Sequence, residues 1–371
     1  MPATLTRRTA IKASLLAGLG LAAPSISPGR LPLLAYSDEP DSYNALLGNP
    51  PMLGRVESDW QPLQSIRSDA TNPDSVTRVT DRHEVIPIFG AIHAAAPYPR
   101  YAHNDVWFET DGGYIHSSYV VPVREIFNEP EKNFGDGFWG EISVPLTRQR
   151  ASPDNFDLGK FTFFYGQTFR VVERMDDAAG RAWYRLSDDG YNRAWWVDAR
   201  HIRRLFAAEF APISPEVPPD HKRVEVSIAD QTLHCYEADR LVFSTRVASG
   251  TAYVNDAGEQ FGFNTPPGRH WIQHKRPSRR MTGGDPDNAA NHYDLPGVPW
   301  CAYFTSTGAA IHGTFWHNNF GIPQSHGCLN VTNDAARWVY RWVNPWTDQA
   351  PDNTWTGDDD QGIATSVIIT A

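Results

Sequence analysis

Ser325-His326-Gly327-Cys328-Leu329-Asn330 lies near the end of the chain, a short loop's length after Ile311-His312-Gly313-Thr314. A cysteine works as a nucleophile when a neighbouring group takes its proton, and an imidazole does so while passing that proton onward. Two histidines qualify. His326 is held beside Cys328 by local geometry; His312 is far enough upstream for a strand, a loop and a return to bring it to the sulfur across a sheet. Spacing alone leaves that choice open. Gly327 carries no side chain, so the N–H groups of Gly327 and Cys328 can approach a reacting carbonyl as an oxyanion hole. Taken singly, a buried Cys is most often a small hydrophobe and a Gly a turn; the string as a whole carries the chemistry. A zinc reading through His312, His317 and His326 has neither an HExxH pattern nor a carboxylate ligand to support it, so no metal or cofactor is expected.

Outward from this motif the pattern is strand-like. Arg223 to Ile228 alternates as a half-buried strand, and Thr232–Tyr236 and Leu241–Val247 continue a meander through a turn at Ala238-Asp239. Past the nucleophile, Ala335, Trp338, Val339 and Trp342 recur at helical spacing behind an Asn333 or Thr332 cap, with Pro345 as the stop. Thr365 to Ile369 reads as a final strand, and Asp358-Asp359-Asp360 as a solvated loop. The Pro-rich run 211–219 separates this region, residues 220–371, from what precedes it.

The preceding half contains an internal echo. Trp107-Phe108-Glu109-Thr110-Asp111-Gly112-Gly113-Tyr114 returns as Trp183-Tyr184-Arg185-Leu186-Ser187-Asp188-Asp189-Gly190-Tyr191, and each copy reads as two aromatic strands joined by a Gly-containing hairpin. The pair resembles two small bacterial SH3-like barrels, residues 53–125 and 138–206, a type of module that docks peptides or cell-wall stems. Residues 36–52 read as a tether. At the start, Arg7-Arg8, Lys12 and the apolar stretch Ala13–Ala23 before Pro24 resemble a twin-arginine export signal within residues 1–35. The apolar stretch is well short of the ~20 residues that span a bilayer, so no integral membrane protein is expected once the signal is removed.

Composition narrows the class further. The 371 residues carry 33 Lys plus Arg against 43 Asp plus Glu, a net charge of −10, which argues against nucleic acid or an anionic membrane as a partner. Thirteen Trp, 14 Tyr and 18 Phe with 29 Pro and 28 Gly suit short strands and tight turns, and so a mainly β protein. Three cysteines, Cys235, Cys301 and Cys328, allow one disulfide at most; a Cys235–Cys301 pair and two buried thiols are both open, and Cys328 must stay reduced to react. The composition leaves the oligomeric state open.

The motif itself resembles the L,D-transpeptidase catalytic domain, the YkuD-like family. The residues that carry the likeness are His312, Gly313 and Ser325–Asn330, supported by Ser249-Gly250, the turn Thr265-Pro266-Pro267-Gly268 and the stretch Tyr293–Trp300. The resemblance implies a β-rich catalytic domain acting extracytoplasmically on peptidoglycan stem peptides. It implies that Cys328 attacks the carbonyl of the third stem residue, expels terminal D-alanine, and forms a thioester that an amine of a neighbouring stem resolves. By the same resemblance His312 is the base, the Gly313 carbonyl orients its ring, and His326 shapes the site and its oxyanion hole. Tyr293, Thr307, Gly308, Gly327 and Asn330 match substrate-contacting positions, and Trp316 and His317 lie in the loop where a stem-peptide cradle would be. Hydrolysis, an L,D-carboxypeptidase outcome, and an inert wall-binding module are the alternatives; an inert domain would have lost the cysteine or a histidine.

Overall fold

Strand pairing explains the echo. In the first copy the hairpin Val106–Thr110 with Gly113–His116 runs into a 3-10 turn, Ser117–Tyr119, and then into Val120–Val123. That last strand pairs with the first strand, Met52–Val56, whose other edge takes Val85–Ile88. In the second copy Ala182–Ser187 with Ala194–Asp198 runs into the 3-10 turn Ala199–His201 and then Ile202–Arg204. This closing strand pairs with Phe138–Ile142, whose other edge takes Thr168–Asp176. Each copy therefore folds its last strand back beside its first and buries its own core, around Ile66, Phe108 and Ile115 in one and Phe163, Val171 and Leu186 in the other. Gly113, at φ +137°, sits where a Cβ would run into the Arg67 carbonyl, which is why the hairpin needs glycine there.

This computed structural model describes residues 52–57, 64–97, 103–155, 158–187, 194–254, 258, 260–284, 292–345, 354–355 and 363–371. The export-signal stretch, the tether up to residue 51 and Asp358–Asp360 lie outside them. The protein is mainly β, and no helix among the described residues is long and apolar enough to cross a membrane.

From residue 222 onward two five-stranded sheets share one core. The first runs in the order Arg240–Arg246, Thr232–Glu237, Lys222–Ser227, Ser366–Thr370, Gly268–Trp271, with the chain's final strand parallel to Lys222–Ser227. The alternation of Lys222–Ser227 puts Val224 and Val226 inside, as a half-buried strand should. The second sheet runs in the order Leu329–Val331, Ala310–Gly313, Tyr293–Tyr303, His274–Gly283, Thr354–Trp355. The helix Asn333–Trp342 starts at Thr332, whose side chain accepts from the Ala335 N–H, and it buries Ala335, Ala336, Val339 and Trp342 against Ile311, Leu329 and Val331. The strand that follows Cys328 is thus backed by core on one face. The opposite face of the same sheet gathers Val298, Cys301, Tyr303, Ala310 and Phe315 with Trp316 and Cys328. Cys235 lies in the first cluster and Cys301 in the second, and both are buried thiols outside any disulfide. The Pro-rich run is fastened rather than loose: Arg341 donates to the Ala211 carbonyl at 2.7 Å, and Ile213 N–H donates to the Arg341 carbonyl at 3.0 Å.

Candidate active site

The site is built where two short strands run parallel. Ala310–Gly313 pairs with Leu329–Val331 in the register Ile311 to Leu329, His312 to Asn330 and Gly313 to Val331. Side chains alternate along a strand, so Ile311, Leu329 and Val331 enter the core while His312, Asn330 and Cys328 share the other face. The loop between them thus returns Cys328 to the sheet face that carries His312.

His312 is buried, and its Nδ1 lies 2.9 Å from the Gly313 carbonyl. A carbonyl only accepts, so Nδ1 carries the proton and Nε2 is left with its lone pair. Burial lowers the His312 pKa to about 4, against the Gly313 hydrogen bond, so the imidazole is neutral at physiological pH. Cys328 is partly exposed, with Sγ 3.8 Å from the Gly308 carbonyl. Burial of the sulfur pushes its pKa up to about 11, opposed by a hydrogen bond from the Ala310 backbone. The resting pair is a thiol and a neutral imidazole.

The motif's own backbone is braced by its first residue. Ser325 Oγ donates to the Cys328 carbonyl at 2.6 Å and accepts the Gly327 N–H at 3.1 Å. Gly327 adopts φ +109°, which L side chains rarely tolerate, so the turn into Cys328 depends on glycine. Ala248 exchanges backbone hydrogen bonds with Asn330, and the Ser249 carbonyl accepts from Gln324 and Ser325. Gly250 N–H in turn donates to Thr265 Oγ1 at 2.8 Å, which ties the Ser249-Gly250 segment to the Thr265–Gly268 turn.

His326 lies in a different setting from His312. Its ring packs between Phe263, centroids 4.5 Å apart, and Tyr293, 4.8 Å apart. Thr307 and Gly308 form an exposed turn closed by Ala309 N–H donating to Thr305 Oγ1 at 2.8 Å, and this turn presents the Gly308 carbonyl to Cys328. Trp316 places its ring 5.8 Å from that of His312. Three local groupings of the residues picked from the sequence are thus present: Tyr293 with His326, His312 with Trp316 and Asn330, and Gly308 with Cys328.

Three contributors were not singled out for these roles. His317 is buried against Asn330, its Nε2 3.0 Å from the Asn330 side-chain amide, and burial lowers its pKa to about 3. Phe263 walls His326, and Ser325 organises the turn. A hydroxyl at the head of a Gly-containing turn is a readable signal for the last of these; nothing local marks the other two. Among the described residues no cluster of His, Cys, Asp or Glu could hold a metal ion.

Residues 221–369 match the family model of YkuD, the L,D-transpeptidase catalytic domain. No curated protein matches the chain. Among solved structures, an L,D-transpeptidase from Xylanimonas cellulosilytica is 24% identical over 40% of this chain and 60% of its own, with a TM-score of 0.25. An Enterococcus faecium L,D-transpeptidase is 19% identical over 40% of this chain and 50% of its own, with a TM-score of 0.29. One from Mycobacterium smegmatis is 16% identical over 77% of this chain and 99% of its own, with a TM-score of 0.31. The chain thus spans only half to three-fifths of the first two.

Proposed function

We propose that this chain is a peptidoglycan L,D-transpeptidase with Cys328 as nucleophile and His312 as base. The match of residues 221–369 to an L,D-transpeptidase catalytic domain supports the reaction class. The observation that carries the residue roles is the Nδ1 hydrogen bond of His312 to the Gly313 carbonyl, which leaves Nε2 as the proton acceptor on the face shared with Cys328.

The steps follow from that tautomer. Cys328 attacks the carbonyl of the third stem residue as its proton passes to His312 Nε2, and the new C–S bond forms a tetrahedral oxyanion. The Cys328 N–H is the nearest donor on the nucleophile itself; the Gly327 N–H is already engaged by Ser325 Oγ, so it joins the oxyanion hole if that hydrogen bond gives way. Collapse breaks the C–N bond, the imidazolium returns its proton to the departing D-alanine amine, and a thioester remains. The acceptor amine of a second stem then attacks, His312 takes its proton and returns it to the sulfur, and an amide replaces the thioester. Water in the acceptor's place gives the carboxypeptidase outcome. Tyr293, Thr307, Gly308, Asn330 and Trp316 line the neighbourhood in which the stem would lie.

The same reading makes the molecule an exported, wall-associated enzyme, with residues 1–35 as a twin-arginine-type signal, 36–52 as a tether and two SH3-like modules ahead of the catalytic domain. The shared strand order of the two copies supports the module reading. Intact mass measurement after incubation with a tetrapeptide-stem muropeptide tests the activity. Loss of D-alanine with a dimeric product, absent in Cys328→Ala, is expected; a folded enzyme with a free thiol and neither adduct nor product returns the weight to a wall-binding module.

A further inference from the structure

Arg55 is fully buried, although it lies in the first strand of the first N-terminal module. A buried guanidinium is strongly unfavourable unless every face of it is answered. Here its Nε donates to Glu57 Oε1 at 2.7 Å, Nη1 donates to the Pro145 carbonyl at 3.0 Å, and Nη2 donates to the Phe315 carbonyl. The plane lies over the Phe164 ring, 4.2 Å from its centroid. One side chain thus joins three regions: its own module, the second module through Pro145 and Phe164, and the loop between His312 and Cys328 through Phe315. Phe315 is followed by Trp316, whose ring meets it edge-on at 4.9 Å and approaches His312.

The loop has two more ties to the first module. Asn318 Nδ2 donates to the Ser117 carbonyl at 3.1 Å. Gly321 lies so close to His103 that a Cβ on it would come within 2.5 Å of that ring. The strands Ala310–Gly313 and Leu329–Val331 are therefore joined by a loop that is tied to the N-terminal modules at Phe315, Asn318 and Gly321 and to its own domain at Gly321, Gln324 and Ser325.

We infer that Arg55 is a positioning residue for the active site, holding the Phe315 peptide so that Trp316 and the loop behind it seat His312 against Cys328. The inference rests on the proposed roles of Cys328 and His312. Only a planar fork with several fixed donors can serve Glu57, Pro145 and Phe315 together, so lysine is no substitute. A side chain needed merely to fill this core could be apolar.

The test uses the full chain as wild type, Arg55→Lys, Asn318→Ala and, as a control on an exposed residue of the second module, Arg148→Lys. Three quantities are read: the thermal midpoint, kcat and KM for a tetrapeptide-stem muropeptide, and the rate of Cys328 alkylation by iodoacetamide against pH. Arg55→Lys is expected to stay folded and to lose on the order of tenfold to a hundredfold in kcat with KM within about threefold, because small misplacements of reacting groups carry costs of that size. Its alkylation profile should shift, Asn318→Ala should change both in the same direction by less, and Arg148→Lys should match wild type. Folded Arg55→Lys and Asn318→Ala with wild-type kcat and alkylation profiles would overturn the inference. If Arg55→Lys fails to fold, Asn318→Ala decides. Should wild type not turn over the muropeptide, the proposed reaction fails, while alkylation, which needs no stem peptide, still decides the positioning role.

Discussion

His317 Nε2 lies 3.0 Å from the Asn330 side-chain amide, and Asn330 is the residue that faces His312 across the parallel strands. Asn319 N–H donates to His317 Nδ1 at 3.2 Å, so the ring proton sits on Nε2 and needs an acceptor. The amide oxygen of Asn330 belongs at this contact, since amide orientation is set by the bonding network. His317→Phe keeps a ring in place but strips a buried amide of its partner. A loss of ~1–3 kcal/mol in stability is expected, together with a drop in kcat that exceeds any change in KM. Equilibrium unfolding and steady-state kinetics of the variant check both; unchanged kcat in a destabilised protein would make the pair structural only.

The resting charge state of Cys328 gives a second prediction. With Cys328 pushed up to about 11 and His312 lowered to about 4, thiol and imidazole are both neutral over the range between. Alkylation of Cys328 by iodoacetamide should then climb roughly tenfold per pH unit from about pH 6 to 9, following the thiolate fraction. A rate plateau in that range, or thiolate absorbance at neutral pH, would mean a preformed thiolate–imidazolium pair instead.

Local features of this fold were legible because their causes are local. Alternation in Lys222–Ser227, the Gly112-Gly113 hairpin and the Thr332 cap each depend on residues a few positions apart, and each element forms where that pattern lies. The string Ser325–Asn330 stood out because its residue types and their order are local to six positions. What could not be read is carried by backbone carbonyls and long-range packing. The Phe315 carbonyl that receives Arg55 and the Tyr340 and Val343 carbonyls that receive Lys275 leave no trace in residue type. The Pro-rich run 211–219 has a linker's composition, yet Ala211 and Ile213 are held by the backbone and side chain of Arg341, a contact no local pattern announces.

Acid should weaken the fold through its histidines. Burial lowers His116, His274 and His312 to about 4 and His317 to about 3, against an ordinary value of 6.5. Between those values the unfolded chain binds more protons than the folded one, so stability rises with pH. The contribution is complete above about pH 6.5 and is lost as pH falls through about 4. Denaturant unfolding across that interval should show a positive slope, and His116→Gln, in the first module, should lower it. A flat profile would show that these rings are not held neutral.

The helix that backs the strand after Cys328 ends on two buried lysines, and this sets a second rising limb on the alkaline side. Lys275 Nζ donates to the Tyr340 and Val343 carbonyls at 2.7 and 2.8 Å, and Lys222 Nζ to the Trp342 carbonyl at 3.0 Å. Those carbonyls have no partner within the helix, so the amines act as its C-terminal cap. Burial lowers Lys222 to about 8 and Lys275 well below its ordinary value. Between about pH 8 and 10 the unfolded chain therefore holds protons that folded Lys222 has begun to release, and stability should rise with pH there. Lys275→Met leaves two helix-end carbonyls unanswered while sparing the burial of an amine, and a net loss of ~1–3 kcal/mol is expected. Because the same helix packs Ala335 and Val339 behind Ile311 and Leu329, that variant should also lower kcat. Unfolding curves at about pH 8 and 10 for wild type, Lys275→Met and Lys222→Met test this: the alkaline rise should shrink in each lysine variant, and its full persistence in both would assign the rise to other groups.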